Sequence, residues 1–268
     1  MLQIQYASDL HIDDFPKGTP FGSFITPVAP VLVLAGDIGS AWNPLYAHFI
    51  AWCSRNWHLT ILITGNHEYY DKTARRTVDE TDAEINRLTH RFSNVVFLQN
   101  GSSYVIPRTH IRFVGATLWS AIDPAIWDEV AKSKGDFLHV YTNVSGWIRN
   151  NHPSDSAARH ALHRTYLASA LAPRFNDETL IVVTHYMPSW ELLESHFRGE
   201  KYCTCYASHD DDLLIPGIKA WICGHSHKAT RWQAPGGPMV LMNARGYNRT
   251  DELQRMSDIY SPHAVLEI

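Results

Sequence analysis

Side chains that can bind metal ions follow short apolar runs at five places in the sequence. They are Asp9 and His11 in SDLH, Asp37 in LAGDIG, Asn66 and His67 in TGNHE, His185 in IVVTHYMP, and His225 and His227 in WICGHSH. Carboxylate, imidazole and amide groups bind divalent ions such as Mn, Fe and Zn. A single aspartate or histidine after an apolar run is usually a turn or loop residue. Five such placements together favour one shared metal site over five independent turns.

The apolar runs are predicted to be β-strands, because they are short and bounded by Gly, Asp, Asn or His. The predicted strands span residues 3–7, 31–35, 60–63, 95–97, 111–114, 180–184, 220–223 and 239–242. Several are apolar almost throughout, as expected for strands buried on both faces of a sheet. In an α/β sheet the carboxyl ends of the strands border one crevice, so we expect the polar residues that follow them to converge.

Helices are predicted between the strands, which favours an α/β fold with the helices outside the sheets. The predicted helices span residues 44–56, 73–90 and 156–171, and residues 264–268 are predicted to form a final edge strand. No repeat, low-complexity tract or linker divides residues 1–268, which are therefore predicted to form a single domain. Two segments rich in aromatic and charged residues, roughly 116–155 and 187–217, are predicted to be insertions that shape a substrate pocket.

The composition excludes several classes of protein. With 268 residues, 45% of them hydrophobic, the chain can bury a sizeable core and is not intrinsically disordered. Its 23 Lys and Arg against 27 Asp and Glu give a net charge of −4, so it is not a basic nucleic-acid coat. Neither a signal peptide nor an apolar run of membrane-spanning length is present. The 4 cysteines are too sparse for a disulfide framework, so reduced thiols and a cytoplasmic location are expected.

The motifs SDLH, GDIG, GNHE, a histidine after a late strand and GHSH resemble, in the same order, those of the calcineurin-like metallophosphoesterase superfamily. The match spans residues 9–227. The resemblance implies a four-layer α/β/β/α sandwich, in which two mixed sheets are flanked by helices and the metal site lies at the carboxyl ends of the strands. It also implies two divalent metal ions as cofactors. Manganese is expected, and Fe, Zn, Co and Ni suit the same ligands. The segment NARGY, residues 243–247, is similar to a stretch found in some bacterial and viral members.

The resemblance also implies a role for each motif residue. Asp9, His11 and His227 would hold the first metal, Asn66, His185 and His225 the second, and Asp37 would bridge the two. Two divalent ions bring four positive charges, and Asp9, Asp37 and a bridging hydroxide remove three, which leaves about one charge to attract a phosphoryl oxygen. The hydroxide would attack phosphorus, with His67 as the general acid that protonates the leaving oxygen. Glu68 is expected either to orient the site or to lie exposed.

The expected substrate is a small-molecule phosphodiester of the cyclic nucleotide, nucleotide or oligonucleotide type. Protein Ser/Thr phosphatases of the superfamily carry GDxxDRG, whose arginine grips a phosphate dianion, whereas this chain has GDIGSAW. This difference argues against that branch and favours a monoanionic diester. Arg198, Lys201 or Arg245 could replace the missing grip, so a phosphomonoesterase is the alternative. No membrane partner is expected, nucleic acid is expected only as a substrate, and the oligomeric state is left open.

Aromatic residues near the expected pocket could stack on a base, although packing in the core or in loops is the simpler interpretation of each one. They are Tyr69, Tyr70, Trp119, Trp127, Tyr202 and Tyr206. Two further functions are weighed. A non-catalytic scaffold, such as the retromer subunit of the superfamily that lacks the catalytic histidine, is disfavoured because His67 is present. An exonuclease related to the DNA-repair nucleases is expected to need a partner or to act only on short ends, because neither a basic segment nor heptads follow GHSH.

Overall fold

The computed structural model describes residues 1–98, 101–172, 178–249 and 259–268. The strands in these ranges are β1 (Gln3–Ala7), β2 (Val31–Ala35), β3 (Leu59–Ile63), β4 (Val95–Phe97), β5 (Ser102–Val105), β6 (Ile111–Ala116), β7 (Tyr141–Val144), β8 (Trp147–Asn150), β9 (Thr179–Thr184), β10 (Ile218–Cys223), β11 (Ala229–Gln233), β12 (Met239–Asn243) and β13 (Val265–Glu267). The α-helices are α1 (Pro44–Asn56), α2 (Val78–Thr89), α3 (Trp127–Ser133), α4 (Gly135–Leu138) and α5 (Pro153–Leu171).

Two mixed sheets form the centre of the fold. The first has the strand order β13-β1-β2-β3-β4, in which β1 to β4 are parallel and β13 pairs antiparallel with β1. The second has the order β11-β12-β10-β9-β6-β5, with four parallel inner strands and an antiparallel strand at each edge. A separate hairpin, β7 with β8, lies outside both sheets.

Three apolar layers hold the sheets and helices together. Alternate residues of a strand face opposite sides, so Val33 of β2 packs between the two sheets, whereas Leu32 packs outward against α1 and α2. On the second sheet, Ile222 faces the first sheet and Trp221 packs outward with Leu167 of α5. Burying each such side chain stabilises the fold by about 1.5–3 kcal/mol. The predicted four-layer α/β/β/α sandwich is confirmed.

Local capping explains where the helices differ from the sequence prediction. The predicted helix 73–90 begins later, at Val78, because the side chains of Thr77 and Glu80 form a capping box there. The residues before it are held in a loop by the Asp71 carboxylate, which accepts hydrogen bonds from three backbone amides. Helix α5 begins earlier than predicted, at Pro153, behind the capping side chain of His152. None of the described helices has both the length and the apolar character needed to cross a lipid bilayer.

The predicted strands are all present, with ends shifted by a few residues, and the predicted edge strand is β13. The sequence prediction missed the edge strands β5 and β11. It also missed the ordered elements of segment 116–155, which contains α3, α4 and the β7–β8 hairpin. Exposed or half-buried strands such as β5 and β8 lack the continuous apolar runs by which the other strands are recognised.

Candidate metal centre

The predicted metal-binding residues and His67 lie at the carboxyl ends of strands from both sheets. Asp9 and His11 follow β1, Asp37 follows β2, Asn66 and His67 follow β3, His185 follows β9, and His225 and His227 follow β10. Backbone hydrogen bonds tie neighbouring loops together, from Asp9 N to Gly36 O at 3.0 Å and from Gly224 N to His185 O at 2.9 Å. The fold therefore brings together, at one edge of the sandwich, all eight residues that the sequence singled out.

One group of donor atoms surrounds the ring of His185. Its Nε2 atom lies 3.1 Å from Asn66 Oδ1, 3.3 Å from Asp37 Oδ2 and 3.2 Å from His225 Nδ1. Four ligands about 2.1 Å from a tetrahedral metal lie about 3.4 Å from one another. The spacing of this group therefore fits a metal ion.

A second group lies on the other side of Asp37. His11 Nε2 and His227 Nε2 are 3.0 Å apart, and His227 Nε2 is 3.5 Å from Asp9 Oδ1. Asp37 Oδ2 lies 4.0 Å from His11 Nε2, so the same oxygen borders both groups. A carboxylate between two ligand groups is the arrangement that a dinuclear centre requires, since it can contact two cations at once.

Burial and neighbouring charges set the protonation states at the site. Burial, reinforced by nearby histidines, lowers the pKa of His11 and of His225 well below the usual value, so both rings are neutral at pH 7. Burial acts to raise the pKa of Asp37, but His185 and His67 outweigh it and hold this pKa well below its usual value. Burial acts to lower the pKa of His185, but the charge of Asp37 outweighs it and raises this pKa to about 10. Neutral imidazoles beside an ionised carboxylate are the forms that bind metals, and a cation would compete with the proton on His185.

The backbone is strained at several of these positions. Positive φ angles occur at Asp9 (52°), His11 (42°), Asp37 (55°), His225 (72°) and His227 (47°). Residues with side chains rarely adopt this region, and each such position costs about 1–3 kcal/mol. Strain of this kind clusters at functional sites, where the surrounding structure fixes the direction of a side chain.

Two glycines allow carboxylates of the site to approach the backbone closely. A Cβ atom at Gly65 would lie 2.1 Å from Asp37 Oδ1, and one at Gly224 would lie 2.5 Å from Asp9 Oδ2. These distances are far below van der Waals contact. The glycines of GNHE and GHSH are therefore explained by the space that the carboxylates occupy.

Glu68 is buried beneath the site and orients two of its loops. Its carboxylate accepts hydrogen bonds from the backbone amides of Gly65 at 2.7 Å, Asp37 at 3.0 Å and Ile38 at 2.8 Å. Burial, together with the charge of Asp37, raises the pKa of Glu68 to about 8. The sequence left two interpretations of Glu68 open, a residue that orients the site or an exposed residue. The exposed interpretation is wrong, because the side chain is fully buried.

His67 stands at the mouth of the site rather than among the donor groups of His185. Its backbone amide donates to Asp37 Oδ1 at 2.8 Å, and its ring stacks on Tyr70 with centroids 4.1 Å apart. The hydroxyl of Tyr247 lies 2.8 Å from His67 Nε2, and the Tyr247 ring also packs against His11. Tyr247 ends the NARGY segment, so a partner for His67 comes from the motif whose role the sequence left unassigned.

Asp136 of helix α4 is the functional candidate that sequence reasoning missed. Its Oδ1 atom accepts a hydrogen bond of 2.7 Å from Asn66 Nδ2. Asp136 lies within segment 116–155, about 70 residues from Asn66, and no local motif surrounds it. A contact of this kind depends on how the segment folds over the site, which the sequence pattern does not indicate.

Two cavities meet at His67. The first, of about 410 Å³, is bordered by Asn66 and His225 and lined by residues of both predicted insertions, among them Ile122, Phe137, Leu193, Phe197 and Tyr206. The second, of about 680 Å³, is bordered by His11 and lined by polar residues, among them Asp13, Asp71, Lys72 and Arg76. His67, Tyr70, Gly135, Tyr247 and Arg249 border both cavities. The site therefore opens on one side to a cavity with one apolar wall and on the other to a mainly polar cavity.

The three cations proposed from the sequence as phosphate-binding residues line neither cavity. Arg198 bonds to Glu191 at 2.6 Å, Lys201 pairs with Glu129, and Arg245 packs on Phe15 and Phe24. Lys134 and Arg249 line the first cavity instead, and Arg249 also lines the second.

The aromatic residues proposed for base stacking also divide. Tyr70 and Tyr206 border the first cavity. Tyr69 and Trp119 are buried in the core, where their rings stack with centroids 5.8 Å apart. Trp127 and Tyr202 border neither of the two cavities. Of the six aromatic residues proposed from the sequence, only Tyr70 and Tyr206 are therefore placed to contact a ligand in these cavities.

Comparisons with known proteins agree with this geometry. The family model of the calcineurin-like phosphoesterases matches residues 7–229. The uncharacterized protein L509 of Acanthamoeba polyphaga mimivirus is 24% identical over 245 residues, which cover 88% of this chain and 83% of that protein. Phosphopantetheinyl hydrolase from Mycobacterium tuberculosis shares the fold, with a TM-score of 0.69 and 16% identity over 94% of this chain and 92% of that chain. The chain belongs to the calcineurin-like phosphoesterases, a family of dimetal-dependent hydrolases.

Proposed function

We propose that this protein hydrolyses phosphodiesters, with two divalent metal ions as cofactors. The observation that carries the proposal is the pair of cavities that meet at His67 beside the ligand groups. A phosphodiester has one ester arm that leaves and one that is retained, whereas a phosphomonoester has only the leaving arm. Space on both sides of the candidate general acid therefore favours the diester.

The proposed ligands form two groups that share Asp37. Asp9, His11 and His227 would hold one ion, Asn66, His185 and His225 would hold the other, and Asp37 would be a ligand of both. The donor-atom distances of 3.0–4.0 Å and the neutral state of His11 and His225 support this assignment. Manganese is the proposed metal, because carboxylate, imidazole and amide donors suit it, as they suit Fe, Zn, Co and Ni.

The residues around the ligands orient the substrate and supply a proton. When bound, the two ions would supply an activated water and stabilise charge on the phosphoryl oxygens. His67 protonates the leaving oxygen, and Tyr247 holds the His67 ring through its 2.8 Å contact with Nε2. Arg249, which borders both cavities beside Tyr247, is the cation proposed to contact the phosphate.

The lining of the cavities indicates what the two ester arms are like. Ile122, Phe137 and Leu193 give the first cavity an apolar wall, and Tyr206 offers an aromatic face. The second cavity is lined mainly by charged and hydroxyl groups. One arm is therefore expected to be apolar or aromatic and the other polar. A phosphopantetheinyl ester belongs in the first substrate panel beside nucleotide diesters, since one protein of the same fold is named a phosphopantetheinyl hydrolase.

The proposal is tested by comparing bis-nitrophenyl phosphate with nitrophenyl phosphate. The enzyme is stripped of metal, reloaded with Mn²⁺ and compared with His67→Ala and with His58→Ala, a matched control at an exposed position. We expect a higher kcat/KM for the diester of this pair. On a diester with a poor leaving group, we expect a loss of about 10²- to 10⁴-fold in His67→Ala and none in His58→Ala. A higher kcat/KM for the monoester would favour the phosphatase alternative. Full activity of His67→Ala on a diester with a poor leaving group would remove His67 from the reaction.

A further inference from the structure

The carboxylate of Asp136 is surrounded by three hydrogen-bond donors from two parts of the chain. Its Oδ1 atom accepts from Asn66 Nδ2 at 2.7 Å and from the Tyr70 hydroxyl at 2.7 Å, and its Oδ2 atom accepts from the Tyr186 hydroxyl at 3.0 Å. Asn66 and Tyr70 follow β3 of the first sheet, and Tyr186 follows β9 of the second. Helix α4, which carries Asp136, thus contacts loops that follow strands of both sheets at the metal centre.

This contact decides which end of the Asn66 amide faces the ligand group of His185. An asparagine side chain has one carbonyl oxygen, which can bind a metal, and one NH₂ group, which cannot. Because Asp136 accepts from the NH₂ group, the oxygen points the other way, to a position 3.1 Å from His185 Nε2. Without an acceptor at position 136, the remaining contact with His185 would not prevent the Asn66 amide from rotating so that its NH₂ group faced the metal site.

The two tyrosines keep Asp136 in place as an acceptor. Both hydroxyls donate to the Asp136 carboxylate, Tyr70 at 2.7 Å to Oδ1 and Tyr186 at 3.0 Å to Oδ2. Charge-assisted hydrogen bonds of this kind are roughly twice as strong as neutral ones. The negative charge of the Asp136 carboxylate also polarises the Asn66 amide. This polarisation increases the negative charge on the amide oxygen that faces the metal site.

The residue before Asp136 is adapted to the same arrangement. A Cβ atom at Gly135 would lie 2.4 Å from the Tyr70 hydroxyl oxygen and 2.9 Å from Cζ of the same ring. Gly135 has an ordinary backbone conformation, so the close approach of Tyr70 is what requires glycine there. This contact is an independent sign that α4 and the loop after β3 are fitted to each other.

We infer that Asp136 is a positioning residue of the metal centre, which fixes the carbonyl oxygen of Asn66 toward the second metal and joins segment 116–155 to that metal. The inference rests on the proposed function, in which Asn66 is a metal ligand. It also means that a segment bordering the substrate cavity and a segment binding metal share one hydrogen-bond network. Partners of this kind typically contribute 10- to 100-fold to metal affinity.

The test measures metal binding directly, by calorimetric titration of the metal-free protein with Mn²⁺. Asp136→Ala is compared with the wild type and with Asp128→Ala, a matched control at an exposed position of the same segment. We expect Asp136→Ala, which leaves no acceptor for the Asn66 amide, to bind the first Mn²⁺ as the wild type does and the second about 10- to 100-fold more weakly. Asp128→Ala should bind both ions normally. Equal binding of both ions by Asp136→Ala would overturn the inference and leave the proposed function intact.

A reciprocal variant separates positioning from general damage to the fold. Asn66→Asp places two carboxylates against each other, whereas the double variant Asn66→Asp/Asp136→Asn restores one donor and one acceptor. The affinity for the second Mn²⁺ ion should therefore be higher in the double variant than in either single variant. The unfolding temperatures of the metal-free variants should not rank in the same order as these affinities. An additive loss in the double variant would contradict positioning. Failure of the wild type to bind two ions would instead overturn the proposed metal centre, and the inference with it.

Discussion

Replacing Gly65 with alanine is predicted to displace Asp37, the carboxylate that borders both ligand groups. The added Cβ would lie 2.1 Å from Asp37 Oδ1 and 2.7 Å from both Asp37 N and His185 Cε1. Ordinary contacts at such a position begin at 3.4 Å, so the carboxylate must move by more than 1 Å. Gly65 and Asp37 are both buried, so the added methyl group can be accommodated only if atoms of the site itself move.

The cost of this displacement follows from two losses. The hydrogen bond of 2.8 Å from His67 N to Asp37 Oδ1 breaks, and bonds to charged groups are worth about 1.5–3 kcal/mol. Overpacking of a buried position costs about 1–3 kcal/mol more. We expect Gly65→Ala to lower the free energy of unfolding of the metal-free protein by on the order of 3–5 kcal/mol. Binding of both Mn²⁺ ions should weaken by about 100-fold or more, because Asp37 is the proposed ligand of both.

The assay combines urea unfolding of the metal-free protein with calorimetric titration of Mn²⁺. Gly22→Ala is the matched control, because a Cβ atom at Gly22 would meet nothing within 4 Å. The control should change neither stability nor metal affinity. Wild-type values for Gly65→Ala in both measurements would show that the space around Asp37 does not constrain the site, and the account of the GNHE glycine would be wrong.

Three further predictions follow from individual contacts. Tyr247→Phe removes the hydroxyl that contacts His67 and should lower kcat on a diester with a poor leaving group by about 5- to 30-fold, with the same KM and unfolding temperature; a change in KM alone would refute the positioning of His67. Burial lowers the pKa of His163 to about 3, whereas the unfolded chain has a pKa near 6.5. The stability that the neutral His163 ring contributes is therefore complete above pH 6.5 and is lost as the pH falls toward 3. The loss in the free energy of unfolding is on the order of 1 kcal/mol between pH 7 and 5.5. Denaturation curves of His163→Gln should lack this pH-dependent loss. Mn²⁺ at about 100 times its dissociation constant should stabilise the wild type by about 2.7 kcal/mol for each bound ion, and Asp37→Asn should lose most of this gain.

The ligand groups could be predicted because each motif lies directly after a buried strand. A parallel strand fixes where its carboxyl end lies, so Asp37 after β2 and His185 after β9 are placed by the sheets themselves. The positive φ angles of Asp37 and His225 could not be predicted in the same way. They depend on surrounding loops that hold the backbone against its own preference.

The surroundings of the ligands were harder to predict, because they depend on tertiary contacts between distant segments. Asp136 lies in a four-residue helix, which is too short to show a periodic pattern in the sequence. Tyr247 contacts His67 although the two are 180 residues apart in the sequence. The sequence allowed Arg198 and Lys201 as phosphate-binding cations, with ordinary surface charge as the simpler interpretation. The structure agrees with the simpler one, since both pair with glutamates outside the cavities. Charge composition alone does not tell a paired surface cation from one that lines a pocket.

The central claim is that two metal ions, held by two ligand groups that share Asp37, support hydrolysis of a phosphodiester. The most direct test is to measure kcat/KM for bis-nitrophenyl phosphate and nitrophenyl phosphate while Mn²⁺ is added stepwise to the metal-free protein. The account predicts activity that reaches its maximum at two equivalents of Mn²⁺, with the diester hydrolysed more efficiently than the monoester. Full activity at one equivalent, activity independent of metal, or preference for the monoester would contradict it.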